Sequence, residues 1–589
     1  MEITIVLVIL GIAMALFAKE ALPVDIVTLL VLLALIVAGI LTPEEAFRGF
    51  GSDIIIILAS VFIISGALRE SGVVNWLGEV LGKISRGGER TFLVVMMGSV
   101  SVFSAFMNNT TVTALMLAPV SGMARKHKWS PSKFLMPLAF ASILGGTCTL
   151  IGTSTNMAVR GYLVSAGLPP LGFFELTPVG LVLVAVGMVY MVFFGCRLLP
   201  AHSISEDLTS AYGLREYLSE IVIEEDSPLA GQTLRDCDLG TRGFRVLKVL
   251  RDKRPKMPRA ALKLMVGDVL VVNGPVESLM KVRETEGISM RADMKFTDKE
   301  LKADDLEILE LLVTPHSGLR GQQIANLDLP GRLGVVVLAL NRHGQRLREK
   351  IKLLRLQTGD VLLLQGPRDS MESLQNSPDF ATFGELNPSV HRNAKGLWVL
   401  GFLILAVLLS GLDLVPLSAA LLAAAVATVL TRCIPMHKVY GCVEWRLLVL
   451  IAGMTAFGVA MQKSGAADWI SQLIVGGLEP LGGLTIMAGF VLLTVILTQP
   501  MSNAAAALVV LPIALSTAEH LGLNGRSFAV AVALAASVSL IAPFEPASLL
   551  VYSPGKYRFL DFIKVGGLLT FLLMIVIIAL VPIFWPLHP

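Results

Sequence analysis

Two short stretches decide how this chain reads: Phe106-Met-Asn-Asn-Thr110 and Pro500-Met-Ser-Asn-Ala504. Each lies where two short apolar runs meet, 91–106 with 111–124 and 483–498 with 504–518. A membrane span needs about 20 apolar residues. These runs are shorter, so each pair reads as a re-entrant hairpin with a polar tip. Tip backbone at membrane depth is tolerated only where it is buried in protein or lines a cavity. The stretches also recur as a set. Ser71–Leu77 matches Ser464–Ile470, and Ala118-Pro119 matches Leu511-Pro512, at an offset that stays close to 393. Repeated halves of this kind typify secondary transporters.

Composition agrees. Of 589 residues, 54% are hydrophobic and 16% charged, against about 25% charged in soluble domains. This excludes an ordinary soluble enzyme, a disordered chain and a nucleic-acid-binding protein. A net charge of +3 implies no polyanionic partner. Cys148, Cys196, Cys237, Cys433 and Cys442 have no paired spacing and read as free thiols. Residues 201–395 hold 28 of the 48 Lys and Arg and 28 of the 45 Asp and Glu. The layout is therefore a membrane block (1–200), a charged insert in two modules (201–300 and 301–394) and a second membrane block (395–589).

The remaining apolar runs lie at about 3–18, 23–41, 53–69, 134–163 and 173–199, then at 396–411, 414–431, 446–462, 527–552 and 563–586. They give five spans per half. The run at 3–18 has no basic flank and no cleavage site, so it reads as a helix and not a signal peptide. An odd number of spans inverts the second half relative to the first. With the insert cytoplasmic, fifteen basic residues fall on inner loops, against Arg48, Arg160, Lys463 and Arg526 on outer ones. The first hairpin then opens from the cytoplasm and the second from outside. The expected fold is an α-helical polytopic protein of the inner (plasma) membrane, an inverted repeat of five spans plus a re-entrant hairpin each.

After each hairpin comes a helix interrupted by breakers: Gly145-Gly146-Thr147 with Gly152-Thr153-Ser154-Thr155-Asn156, and Ala542-Pro543-Phe544-Glu545-Pro546. A broken helix frees carbonyls for a cation and helix N-termini for an anion. Asn109 and Asn503 sit at the tips, and Ser104 and Thr498 each lie five residues earlier. Such residues also serve plain helix–helix hydrogen bonding; their duplication at matching positions favours a binding role. Glu545 is a carboxylate deep in a membrane segment, which is costly and tends to be functional. It would repel an anion unless protonated or paired with a cation. It reads either as a proton carrier for coupling or as a residue open to a water-filled vestibule.

Both membrane blocks resemble the divalent anion/sodium symporter family of the wider ion-transporter superfamily, through the hairpin asparagines and the Gly-Thr-Ser-Thr-Asn break. The resemblance implies sodium-coupled symport of a small divalent oxyanion, sulfate or a di- or tricarboxylate, by a homodimer. It implies one sodium site at Ser104, Asn108, Asn109 and the Gly152 carbonyl. The other would comprise Thr498, the Met501 carbonyl, Asn503 and the Ala542 carbonyl. Asn109, Thr110, Ser502 and Asn503 would hold substrate oxygens, with Pro543 beside them. The chain departs from the family pattern at Ala504, which lacks a hydroxyl, and at Ala542–Pro546, where the family carries Thr, Gly and Asn.

The insert has its own repeat. Ser227–Leu234 matches Ser317–Ile324, and Gly267–Pro275 matches Gly359–Pro367. Short β-branched runs alternate with Gly-Asp turns, which implies small α/β modules with cores at 215–285 and 305–375. They resemble C-terminal potassium-conductance regulator (TrkA-C) modules, which implies dimerisation and a small regulatory ligand. The Gly-Asp pairs read as strand-entry turns, and Lys248–Arg259 as a solvated basic loop or a contact for an anionic ligand or headgroup. There is no glycine-rich nucleotide motif and no catalytic constellation, so the chain is not read as an enzyme. Rival readings are a proton-coupled transporter or exporter of the same fold, a membrane sensor, and a regulated channel. The channel needs a Thr-Val-Gly-Tyr-Gly filter, which is absent.

Overall fold

The computed structural model describes residues 2–19, 22–71, 88–200, 395–412, 414–478 and 482–588 of the membrane blocks. In the insert it describes 218–223, 227–237, 245–251, 254–256, 261–273, 288–291 and most of 306–382. Most of the 71–77 landmark and part of the basic stretch 248–259 lie outside the described residues.

The first block runs α1 (Glu2–Lys19), α2 (Val24–Val37), α3 (Asp53–Glu70), α4 (Glu89–Ser104), α5 (Asn109–Lys126), α6 (Ser132–Gly146), α7 (Ser154–Ser165) and α8 (Thr177–Tyr190). The second runs α9 (Lys395–Gly411), α10 (Leu417–Leu430), α11 (Trp445–Lys463), α12 (Ala466–Leu478), α13 (Gly483–Leu497), α14 (Asn503–His520), α15 (Gly525–Ser537), α16 (Pro546–Tyr552) and α17 (Phe559–Phe584). Among the described residues, five helices are long and apolar enough to cross a membrane, and seven shorter apolar helices accompany them. The chain is a multi-pass membrane protein.

The hairpins begin alike. Gly88 and Gly482 precede α4 and α13 with φ of +93° and +82°, a conformation glycine adopts without strain. Their tips are short turns, and the broken helices part at 147–153 and 538–545. The four helices that restart from these points carry their own N-caps. Asn108 Oδ1 accepts from Thr110 N at 2.9 Å and Thr153 Oγ1 from Thr155 N at 3.3 Å. Ser502 Oγ accepts from Ala505 N at 3.3 Å and Glu545 Oε2 from Ala547 N at 3.0 Å. Each cap satisfies an orphan N–H of its own helix, worth about 1 kcal/mol.

Packing crosses between the blocks. Hairpin helix α5 lies against α16, and its counterpart α14 lies against α7. Likewise α2 packs on α11 and α3 on α10. All four caps thus belong to helices that meet across the blocks, and Ala504–Ala518 of α14 is buried throughout.

In the insert, each module is a five-stranded antiparallel sheet. The first contains β1 (Leu218–Ile223), β2 (Arg245–Arg251), β3 (Arg254–Lys256), β4 (Val269–Asn273) and β5 (Ile288–Arg291), in the order β3-β2-β4-β1-β5. The second contains β6 (Leu306–Val313), β7 (Val336–Arg342), β8 (Gln345–Arg346), β9 (Val361–Pro367) and β10 (Phe380–Thr382), in the order β8-β7-β9-β6-β10. The two orders correspond strand for strand. Both carry a bulge at the same place, Val246/Lys248 and Val337/Ala339.

The Gly-Asp turns do more than enter a strand. Asp268 and Asp360 are buried, and each receives a two-pronged guanidinium, from Arg251 and Arg342, with Nε–Oδ1 distances of 2.7 Å. The Arg251 end of the basic stretch is therefore a paired strand residue, and Arg254–Lys256 is strand β3 rather than loop. Burial works against ionisation of Asp268, but hydrogen bonds from Arg251 and the Met265 N–H hold its carboxyl below the usual carboxylate range. A depressed pKa stabilises the fold above the unfolded value, and that contribution is lost as pH falls through the folded one. Replacing Arg342 with Met would strand the Asp360 carboxylate. We expect a local loss of about 3 kcal/mol, read as accelerated hydrogen exchange across β7 and β9.

The second module seats on the membrane block. Leu312 and Val361 join the core of the membrane helices. The Gly359 turn abuts Leu549 of α16. Strand β10 runs along α5, and Arg125 Nη2 lies 3.4 Å from Glu310 Oε2.

Candidate cation and substrate site

The first tip, α4 and the α6–α7 break bring oxygens together around the Asn109 amide. Ser104 Oγ, at the last residue of α4, lies 2.9 Å from Asn109 Oδ1 and 2.6 Å from the Ser142 carbonyl. Ser142 Oγ donates to the Asn109 carbonyl at 2.7 Å, which ties the tip to α6. Close approach is possible because Gly146 and Gly152 have no side chain. A Cβ on Gly146 would stand 2.5 Å from Asn109 Oδ1, and one on Gly152 would stand 2.5 Å from the Gly146 carbonyl. Asn156 braces the break by donating to the carbonyls of Thr149 at 2.9 Å and Gly146 at 3.3 Å.

The Asn109 amide can be placed in two orientations, since its oxygen and nitrogen are distinguished by partners alone, and the turned-over one gives both atoms hydrogen-bond partners. With Oδ1 inward, it accepts from Ser104 Oγ and faces the Gly152 and Ser142 carbonyls, acceptors that a cation would reconcile, while its nitrogen faces donors. Turned over, its nitrogen donates to those same atoms at 3.3, 3.1 and 2.9 Å. These are hard, neutral oxygens of the kind an alkali cation takes, packed here at hydrogen-bond separations. The Asn109 side chain also interacts with the carboxylate of Glu545, which caps α16.

Of the residues expected at the first sodium site, Ser104, Asn109 and Gly152 come together. The Asn108 side chain turns elsewhere: its Oδ1 caps α5, and its Nδ2 donates to Glu444 Oε1 at 3.3 Å. Around the second tip and its break, Thr498, Met501, Ala542 and Pro543 are buried, Asn503 is half-buried and Ser502 is exposed; Thr110, at the first tip, is half-buried. Thr498 Oγ1 donates to the Val495 carbonyl at 2.8 Å. Ser142 escaped sequence reasoning, and Gly146 was read only as part of the helix break. The available signal was their spacing of four, which places both on one face of α6.

With this geometry in hand, comparison identifies the class. The citrate transporter (CitMHS) family matches residues 12–537, and the chain belongs to that family. It is 33% identical over 599 residues to the uncharacterized transporter sll0640 of Synechocystis sp., covering 100% of this chain and 98% of that one. It is 30% identical to the uncharacterized transporter YfbS of Escherichia coli, covering 99% of each. Sodium/sulfate cotransporter 2 of Chlamydomonas reinhardtii is 28% identical over 365 residues, 57% of this chain and 40% of that one. The named relatives are transporters, so a transporter is the class these similarities define.

Proposed function

We propose that this chain is a sodium-coupled symporter for a small divalent oxyanion, sulfate or a di- or tricarboxylate. The observation that carries the reading is the oxygen cluster around Asn109. A cation held there offsets anion charge, and the N-termini of α5, α7 and α14 favour the anion beside it. The sodium/sulfate relatives in Chlamydomonas reinhardtii support both ion and substrate class.

In this reading residues 1–200 and 395–589 form the carrier as an inverted repeat in an inner membrane, and the carrier is a homodimer. The ion pairs agree with that topology. Glu70–Lys438, Glu89–Lys133 and Arg125–Glu310 join residues assigned to the insert's side. Glu45–Lys463, Asp468–His520 and Glu175–Arg526 join residues assigned to the other. Thr110, Ser502, Asn503 and Pro543 contact substrate, and Thr498, Met501 and Ala542 belong to the second tip. The modules at 201–300 and 301–394 act as TrkA-C-type regulators on the cytoplasmic side. The seat of the second module on α5 and α16 gives a small bound ligand a route to the carrier.

Uptake of radiolabelled sulfate and succinate into proteoliposomes tests this, under a sodium gradient, a proton gradient or neither. Sodium-driven uptake of either anion supports the reading, and its absence for both overturns it. Proton-driven uptake alone would favour the second reading, in which Glu545 carries the coupling ion. That reading draws on the contact between Glu545 and Asn109. It expects Glu545→Gln, which keeps the cap oxygen, to flatten the pH dependence of uptake.

A further inference from the structure

The two tips are related by sequence but not by geometry. In the first, the residue after Ser104 is Ala105, and the α6 position that the Asn109 amide approaches is Gly146. At the tip offset of 394 the counterpart of Ala105 is Gln499, and Ser539, 393 residues beyond Gly146, lies one residue short of that register. The Gln499 amide nitrogen donates to the Val495 carbonyl at 2.9 Å, to Ser539 Oγ at 3.2 Å and to Thr498 Oγ1 at 3.4 Å. Its oxygen is buried and has no hydrogen-bond partner among the described residues. A carbonyl can only accept, so Val495 fixes which end of the amide points inward.

Capping the end of α13 accounts for the Val495 contact alone. It does not account for the reach across to Ser539, beyond the end of α15. There the N–H groups bring partial positive charge to the oxygens that would otherwise turn to a cation. Thr498, the residue expected to ligate, is engaged on both sides by Val495 and Gln499. The hydroxyl expected to ligate a second sodium ion is therefore already engaged while Gln499 stays in place.

We propose that the Gln499 amide is a built-in substitute for the second cation, so that each chain binds one sodium ion, at the Asn109 cluster. The inference rests on the sodium-coupled reading above and sharpens it to a stoichiometry. Relative to a two-sodium carrier, each cycle with a divalent anion moves one positive charge fewer.

The test is equilibrium binding of radioactive sodium to the purified full-length protein, counted per chain. Wild type is expected to bind one ion and Asn109→Ala none. Gln499→Ala, which removes the donors, is expected to bind two. Gln499→Glu keeps the side-chain shape, guards against misfolding of the alanine variant, and is also expected to bind two. Two ions in wild type, or one ion retained in both Gln499 variants, would overturn the inference and leave sodium coupling intact. No sodium binding in wild type would remove the sodium-coupled reading and the inference with it.

Discussion

Asn109→Ala is expected to abolish sodium-driven uptake under conditions where the wild type transports, with at least a tenfold loss in apparent sodium affinity. The substitution removes the one side-chain oxygen that faces the Ser104 hydroxyl and the carbonyls of Ser142 and Gly152. Tenfold corresponds to about 1.4 kcal/mol, a modest share of what a buried, charge-assisted contact contributes. The tip should survive, because the α5 cap comes from Asn108 and the bond from Ser142 goes to the Asn109 backbone. The expected signature is therefore a protein of wild-type size and near-wild-type melting temperature whose uptake no longer responds to sodium. Equal sodium dependence in the variant would remove Asn109 from the coupling site.

Gly146→Ala should be as damaging through a different route. Its added Cβ would stand 2.5 Å from Asn109 Oδ1, 3.2 Å from Asn109 Cγ and 3.1 Å from the Gly152 carbonyl. The last of these is backbone, so relief must come from moving the tip away from the break. Overpacking of this kind costs about 1–3 kcal/mol, and here the displaced atoms are the proposed ligands. Transport should fall steeply while the protein still assembles. Gly401→Ala in α9 is the control, since a Cβ there meets nothing within 4 Å. It should match wild type in uptake and gain slightly in stability, as helix propensity favours alanine over glycine. If Gly146→Ala transported normally, the close approach of tip and break would not matter to function.

Much of this was legible in the sequence because membrane helices obey coarse rules. The polar tips at Asn109 and Asn503, the glycine break at 145–156 and the proline break at 542–546 are visible because lipid tolerates neither polarity nor unpaired backbone without cause. The five-residue spacing of Ser104 and Asn109 survives folding because one short turn separates the end of α4 from the start of α5. Contacts set by packing between distant segments were not legible. Ser142 reaches Asn109 across 33 residues, and Gln499 reaches Ser539 across 40. A glutamine after Thr498 looks unremarkable until the second half of the repeat is laid beside it.

The insert gives the same lesson at closer range. The repeated Gly-Asp pair is plain in the sequence, but its arginine partners are not. Arg251 precedes Asp268 by 17 residues and Arg342 precedes Asp360 by 18, and only strand pairing in a shared register makes them neighbours. Helix α12 (Ala466–Leu478) was also missed, because polar residues such as Asp468, Ser471 and Gln472 interrupt its apolar pattern. The seat of the second module on Leu549 depends on shape alone, and no local motif announces it.

The central claim is that the oxygens around Asn109 hold a sodium ion. Cryo-electron microscopy of the protein in sodium chloride and again in choline chloride tests it most directly. The account predicts density between Asn109 Oδ1, Ser104 Oγ and the carbonyls of Ser142 and Gly152 in sodium, and none in choline. A site without density in sodium, with the Asn109 nitrogen hydrogen-bonded to those same three residues, would contradict it.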